Sequence, residues 1–145
     1  MRAFLAGVDK RDEKFIINGL KATEFETADR VIKSGTWDRS LLILAEGELI
    51  AFSSDGENQV YMEGAILGVD QFLFNSKWDT DIICGQTAVV SKLRWEALMD
   101  MVKSNAAAAA KIYKCVMRHY CYNNLYENDK KHSNQHLFNF KNIQD

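Results

Sequence analysis

The chain has 145 residues, of which 47% are hydrophobic and 26% are charged, and its formal net charge is −2. This length and composition predict one domain with a sizeable core, and the charge gives no basic surface of the kind that binds nucleic acid. The three cysteines, Cys84, Cys115 and Cys121, are unclustered, which argues against a disulfide framework and favours a reducing compartment. No segment has the length of a membrane span or the pattern of a secretory or transit signal, so we expect an intracellular, cytoplasmic protein.

A short helix is predicted over residues 9–20, because Phe15, Ile16 and Leu20 fall on one face behind charged residues. Short apolar or β-branched segments that end at turn glycines follow, a pattern typical of an antiparallel meander. The dipeptide Asp55-Gly56 is a strong hairpin signal, since both positions readily adopt positive φ. The predicted strands are residues 23–27, 31–32, 41–45, 49–52, 59–62, 80–84 and 87–90.

Helical patterns dominate the second half of the chain. Residues 71–74 are predicted to form a single helical turn, and Ser91 is predicted to cap a helix over residues 93–102. A second helix is predicted over residues 105–126, a segment that includes a run of consecutive alanines, the best helix former.

The order of these elements predicts an α+β domain over residues 9–126. We expect an antiparallel β-roll or jelly roll of about eight strands, with a short N-terminal helix and two C-terminal helices. Residues 127–145 are predicted to be a polar tail, loosely docked or ordered by a partner. The hydrophobic residues of this tail are Leu137, Phe138, Phe140 and Ile143.

Two glycines, Gly35 and Gly47, flank an apolar strand with a spacing that resembles the first half of the cyclic nucleotide-binding domain family. Residues 64–69, with the sequence GAILGV, occupy the place of that family's phosphate-binding cassette, whose signature is G-D-x-F-G-E. Two further strands and a pair of helices complete the family's order of elements, so the resemblance covers residues 9–126. It implies a β-roll that holds a cyclic nucleotide, with the second helix as a lid.

The resemblance also implies which residues would contact the ligand, and two of them have the wrong chemistry. Val69 stands where the family has a glutamate that binds the ribose 2′-hydroxyl, and a valine side chain accepts no hydrogen bond. Trp78 stands where an arginine pairs with the cyclic phosphate, and we expect it either to plug the vacated pocket or to lie on the surface. The vestigial ligand site is predicted to comprise Gly64, Leu67, Gly68, Val69, Asp70, Trp78 and Thr80.

The neighbouring residues compensate poorly for these losses. Asp79 and Asp81 would repel a phosphate, and Lys77 lacks the two-pronged donor geometry of an arginine. A shift of one residue would let Asp70 replace the glutamate, and backbone amides after Gly68 would still face an anion. Loss of the arginine alone removes about 1.5–3 kcal/mol of binding, so the sequence predicts weak binding of cAMP or cGMP at most.

Other kinds of site find little support. The chain has no nucleophile elbow, no P-loop and no paired acids on a shared motif, which predicts that it is not an enzyme. His132 and His136 have the spacing of two metal ligands on a helix, but the segment is polar and no cysteine pair has zinc spacing. A cupin needs histidines in its early strands, whereas the first histidine here is His119.

The sequence therefore predicts a non-catalytic cyclic nucleotide-binding-like domain that has lost cAMP and cGMP binding and has no cofactor. It would serve as a structural or regulatory protein-interaction module, with a protein partner on the C-terminal helix and on the tail around Phe138 and Phe140. Such a module would be a subunit of a larger assembly. A functional cyclic-nucleotide sensor with an altered cassette is the alternative, and a pocket for another small anion or nucleotide is a third.

Overall fold

The computed structural model describes residues 4–135, with side chains described as far as Asn124. These residues form four helices and six strands. The helices are α1 (Lys10–Asn18), α2 (Val69–Phe74), α3 (Trp95–Ser104) and α4 (Ala106–Gln135). The strands are β1 (Lys21–Phe25), β2 (Arg30–Ile32), β3 (Ser40–Ser53), β4 (Asn58–Tyr61), β5 (Ile66–Leu67) and β6 (Thr80–Arg94).

The sheet is antiparallel throughout and is built on its two long strands, β3 and β6, which pair with each other over most of their length. Strands β1 and β2 pair with β6, and strands β4 and β5 pair with β3. The predicted α+β roll with an N-terminal helix and two C-terminal helices is confirmed. The predicted hairpin at Asp55-Gly56 joins β3 to β4, and Gly56 has a φ of +85° as expected.

The number of strands is smaller than predicted because glycines lie inside strands as well as between them. Residues 41–45 and 49–52 belong to one strand, β3, and residues 80–84 and 87–90 belong to β6. Gly47 has a φ of +87°, and a Cβ there would collide with the backbone at Thr87 and Ala88. The β3–β6 register shifts around this point, so Gly47 marks an irregularity within a continuous strand pair.

The predicted helix cap at Ser91 is wrong. Ser91 lies inside β6, where it is paired with Ala22 of β1 on one side and with Ile43 of β3 on the other. Helix α3 begins later, at Trp95, and its N-cap residue is Arg94. A hydroxyl is a local signal for a helix start, but pairing on both edges of the strand overrides it here.

Strand β3 divides the hydrophobic core in two, because successive side chains point to opposite faces of a sheet. Leu41 and Ile43 pack in the cluster that the helices cover, together with residues such as Phe72 and Ile112. Leu42 and Leu44 alternate with these residues and point into the roll. The second cluster lies there and also includes Leu49, Leu67, Trp78 and Ile82. Both faces of β3 are therefore buried over residues 41–44, which explains the uninterrupted apolar sequence there.

Helix α4 is the longest element and continues to Gln135, past the end predicted near residue 126. The first part of the predicted tail is therefore helical. The hydrophobic tail residues Leu137, Phe138, Phe140 and Ile143 lie outside the described residues. Within residues 4–135, no helix combines the length and the apolar character needed to cross a membrane.

Candidate functional site

An open cavity of about 990 Å³ lies between the β-roll and helix α4. Its walls come from the β3–β4 hairpin, from β5 and the start of α2, from the beginning of β6, and from one face of α4. This volume is at the upper end of the range typical of small-molecule sites. The residues that α4 contributes are His119, Tyr120, Asn123 and Asn124.

Nearly all of the predicted ligand site lies at this cavity. The lining includes Leu67, Gly68, Val69, Asp70, Trp78 and Thr80. Gly64 is not part of the lining. It forms the turn before β5, where its φ is +93° and its backbone N–H donates to the Leu44 carbonyl oxygen over 2.8 Å. The predicted residues are therefore gathered in one place, with Gly64 shaping the approach to them.

Trp78 is buried, with 3% of its surface exposed, so the alternative that it lies on the surface is wrong. Three hydrogen bonds fix it to the turn that contains Gly35. The Gly35 N–H donates to the Trp78 carbonyl oxygen over 2.7 Å, and the Trp78 N–H donates to the Thr36 carbonyl oxygen over 3.0 Å. The indole Nε1–H donates to the Asp38 carbonyl oxygen over 2.7 Å. Hydrogen bonds therefore hold both the backbone of Trp78 and its indole nitrogen in place.

The indole packs directly against the cassette glycine. A Cβ placed on Gly68 would lie 2.5 Å from Cη2 and 2.6 Å from Cζ2 of Trp78, and 2.7 Å from the Ser40 carbonyl oxygen. Gly68 also has a φ of +85°, a conformation that L side chains rarely adopt. The absence of a side chain at Gly68 is therefore what allows the ring to lie against the cassette.

The other cassette positions offer an uneven set of groups. Val69 is buried in the cluster beneath the helices, alongside Phe72, and has no polar atom in its side chain. Asp70 is exposed in the first turn of α2. Thr80 opens β6 and is paired with Ser53 at the end of β3. Asp70 is the residue of this cassette that offers the cavity a charged group.

The formal charge of the cavity is negative. The described residues that line it include no lysine and no arginine, whereas four of them are acidic: Asp55, Glu57, Asp70 and Asp79. Hydrogen bonds from the Ser53 hydroxyl and the Glu57 N–H lower the pKa of Asp55, which keeps that carboxylate ionised at neutral pH. Asp81, predicted to add to this charge, instead accepts a hydrogen bond of 2.8 Å from the Ser34 N–H and is not among the lining residues.

Two cations, one bonded to the end of α2 and one adjacent to Trp78 in the chain, have partners outside the cavity. Arg39 donates from Nε to the Phe72 carbonyl oxygen over 2.8 Å and from an Nη to that of Leu73 over 3.2 Å. Its guanidinium also lies 3.6 Å from the ring centroid of Trp95. The Lys77 ammonium lies over the ring of Trp37, 5.5 Å from its centroid. Neither side chain lines the cavity.

Asp38, whose carbonyl oxygen accepts the indole hydrogen bond, also accepts two hydrogen bonds with its partly buried side chain. One carboxylate oxygen accepts from the Ser40 hydroxyl and the other from the Lys92 ammonium, each over 2.6 Å. Partial burial opposes ionisation of Asp38, but the hydrogen bonds from Lys92 and Ser40 outweigh it and lower its pKa. The sequence did not predict this network, because Trp78 and Lys92 are distant from Asp38 in the chain.

Helix α4 lies over the cavity, as the resemblance implies for the second helix, but the residues that it contributes were not predicted from the sequence. The side-chain amide Nδ2 of Asn123 donates to Nε2 of His119, one helical turn away, over 3.1 Å. Burial lowers the pKa of His119. The imidazole is therefore neutral at pH 7 and adds no positive charge to the cavity. Among the residues whose side chains are described, no group of His, Cys, Asp and Glu is arranged to hold a metal ion. His136, part of the metal pair considered from the sequence, lies outside the described residues.

No protein-family model matches the chain, and no curated protein matches its sequence. Solved structures do match. A cyclic nucleotide-binding domain from Methylobacillus flagellatus KT is similar, with a TM-score of 0.75, 12% identity, and coverage of 84% of this chain and 71% of that one. The N-terminal domain of a transcriptional regulator from Streptomyces coelicolor A3(2) is similar with a TM-score of 0.69, 15% identity, and coverage of 83% of this chain and 90% of that one.

A third similar structure is the regulatory subunit of a cAMP-independent protein kinase A from Trypanosoma brucei, in a triple mutant bound to cAMP in the A site. The TM-score is 0.57 at 24% identity, over 72% of this chain and 43% of that one. The present chain thus spans less than half of that subunit. Together these likenesses show that the chain has the fold of cyclic nucleotide-binding domains.

Proposed function

We propose that this domain no longer binds cAMP or cGMP and serves as a non-catalytic structural or regulatory protein-interaction module. The observation that carries the proposal is the position of Trp78. Its indole is buried against Gly68 and hydrogen-bonded to the Asp38 carbonyl oxygen, at the chain position where the resemblance expects an arginine.

The energetics follow from what a cyclic phosphate would meet in the cavity. The missing arginine removes a charge-assisted hydrogen bond worth about 1.5–3 kcal/mol. No lining lysine or arginine replaces it among the described residues, and the phosphate would approach four carboxylates. Like charges in a partly enclosed site oppose binding, so the electrostatic contribution has changed sign as well as decreased. Val69 removes the contact to the ribose in addition.

The Trypanosoma brucei subunit supports this proposal by analogy. It is described as part of a cAMP-independent kinase, and the form bound to cAMP carries three substitutions, one of which replaces a threonine by an arginine. We infer that the present chain is another domain of this fold in which the nucleotide has lost its role. A functional sensor with an altered cassette is the alternative, and the persistence of a cavity of about 990 Å³ is the observation that favours it.

We further propose that the protein partner contacts helix α4 and the segment that follows it. Large aromatic side chains are exposed on α4 and next to it. Tyr113 and Tyr122 of α4 are exposed, and Phe74 is exposed while packing edge-on against Tyr120 with a centroid distance of 5.4 Å. Exposed aromatic residues are enriched in protein interfaces. All three cysteines are free thiols, which fits a reducing compartment such as the cytoplasm.

The test of lost nucleotide binding is a paired calorimetric titration with cAMP and cGMP. We expect no saturable heat from the native chain up to about 1 mM ligand, which corresponds to a binding free energy weaker than about 4 kcal/mol. Micromolar binding by the native chain would overturn the proposal. The variant Val69→Glu with Trp78→Arg, accepted only if its circular dichroism matches that of the native chain, should gain measurable affinity for cAMP.

The interaction role is tested with two truncations of the chain in its native cell extract. Ending the chain after residue 126 should lower the apparent mass of the assembly that contains it, as measured by sedimentation. Ending it after Gln135 separates the contribution of the last helical turns from that of residues 136–145. An unchanged apparent mass for both truncations, with the domain still folded, would exclude residues 127–145 as part of the contact.

A further inference from the structure

The walls of the cavity described above combine charge of one sign with an apolar floor. Ala51, Leu67 and Ile82 lie at the floor and are buried, and the Trp78 indole completes it. The acidic residues Asp55, Glu57, Asp70 and Asp79 are exposed at the rim. An apolar floor with a carboxylate rim suits a ligand whose body is aliphatic and whose charged groups are cationic.

The carboxylates reach the cavity from separate parts of the fold. Asp55 and Glu57 belong to the β3–β4 hairpin, and Asp79 directly precedes Thr80, which is paired with Ser53 at the end of β3. Asp70 lies on α2, which follows β5, and β5 is paired with β3 near the opposite end of that strand. The negative charge is therefore distributed along the cavity.

This distribution discriminates between kinds of cation. None of the acidic residues comes together with two others in a group that could hold a metal ion, among the residues with described side chains. A compact divalent cation needs several oxygen ligands at about 2–2.6 Å, which dispersed carboxylates do not provide. An extended cation with several ammonium groups needs only one carboxylate near each group.

We propose that this cavity binds a small aliphatic polyamine. The ammonium groups pair with the carboxylates at the hairpin and on α2, and the methylene chain covers the apolar floor. The amide oxygens of Asn123 and Asn124 on α4 add neutral acceptors for the ammonium protons. A polyamine would lie between the roll and α4 and contact both. A cyclic nucleotide is anionic, so the same carboxylates would repel it.

The experiment is a calorimetric titration of the full chain with spermidine at low ionic strength. Saturable binding with a dissociation constant in the micromolar range is expected, weakening as salt is added. The neutral diol 1,8-octanediol, which has a similar aliphatic chain, should give no saturable heat. Mg²⁺ should weaken spermidine binding no more than NaCl does at the same ionic strength. No saturable binding of spermidine would overturn the proposal.

A matched pair of variants locates the site. Asp70→Asn with Asp79→Asn should weaken spermidine binding at least about tenfold, because each substitution removes a charge-assisted contact with an ammonium group in a partly enclosed site. Glu96→Gln with Asp100→Asn removes the same charge from exposed positions on α3 and should change the affinity less than about twofold. Equal weakening by both pairs would show non-specific counterion binding and overturn the proposal. A cAMP titration of the same samples keeps this result separate from the proposed loss of nucleotide binding.

Discussion

The indole Nε1–H of Trp78 donates a hydrogen bond of 2.7 Å to the backbone carbonyl oxygen of Asp38. This bond joins the loop before β6 to the loop before β3, two segments that are far apart in the sequence. It satisfies the polar atom of an otherwise apolar side chain, so Trp78 can be a full member of the core inside the roll. A residue expected from the sequence to replace a ligand contact is therefore also a structural element.

Replacing Trp78 should destabilise the domain strongly. Trp78→Ala removes a buried indole and its hydrogen bond, so we expect a loss of about 3–5 kcal/mol in the free energy of unfolding. The measurement is chemical denaturation followed by circular dichroism. The control is Trp37→Ala, since Trp37 is 64% exposed. The interaction of its ring is with the Lys77 ammonium, which lies 5.5 Å from the ring centroid. That change should cost less than about 1 kcal/mol, and equal losses would contradict the structural role of Trp78.

Two glycines with the same backbone conformation separate strain from steric contact. Gly68 and Gly56 both have a φ of +85°, but a Cβ at Gly68 would meet the Trp78 ring, whereas a Cβ at Gly56 would meet nothing within 4 Å. Substitution by alanine should cost about 1–2 kcal/mol at either position because of the positive φ. Gly68→Ala should cost about 1–3 kcal/mol more through overpacking. Similar unfolding free energies for the two variants would show that the indole moves aside at little cost.

The Asp38 carboxylate predicts a pH dependence. Its pKa in the folded protein is lowered from the ordinary value of 3.8, because the hydrogen bonds from Lys92 and Ser40 outweigh its partial burial. The folded state therefore gains stability from the ionised group above pH 3.8, and this gain disappears as the pH falls through the lower, folded pKa.

The measurement is the free energy of unfolding of the native chain and of Asp38→Asn between pH 7 and pH 3. The native chain should be more stable by about 0.5–1 kcal/mol at neutral pH, since the pair is partly exposed to solvent. The difference should shrink below about pH 4. Lys92→Met should reduce the same pH-dependent difference, since the Ser40 hydrogen bond remains. A difference that stays constant to pH 3 would exclude Asp38 as its source.

Arg39 should not be replaceable by lysine. Its guanidinium binds two carbonyl oxygens at the end of α2 and stacks on Trp95, a combination that a lysine ammonium cannot reproduce. Arg39→Lys should lower the free energy of unfolding by about 1–2 kcal/mol. Arg30→Lys, at an exposed position on β2, should leave it within about 0.5 kcal/mol. If both variants unfold alike, the stacked arrangement contributes little to stability.

The sequence predicts the order of the elements well, because that information is local. The hairpin signal at Asp55-Gly56 falls between two strands of the structure, and the family glycines Gly35 and Gly64 also lie between strands. It fails at Gly47 and Ser91, where pairing with distant strands continues β3 and β6 through residues that locally favour a break or a cap.

The site is predicted less completely than the fold. The cassette residues and Trp78 could be placed because they are close in the chain, and most of them line one cavity. The resemblance implies that α4 covers the site, but it does not show that His119 and Asn123 face the cavity, since that depends on how α4 packs on the roll. The role of Asp38 was equally hidden, because its partners Trp78 and Lys92 meet it only in the folded chain.

The most direct test of lost nucleotide binding is the nuclear magnetic resonance signal of the Trp78 Nε1–H during a titration with cAMP. The chain has three tryptophans, and the signal of Trp78 is identified by its absence in Trp78→Phe. The buried, hydrogen-bonded indole N–H should exchange slowly with solvent and keep its chemical shift up to about 1 mM cAMP. A saturable shift of this signal at micromolar cAMP would contradict the account.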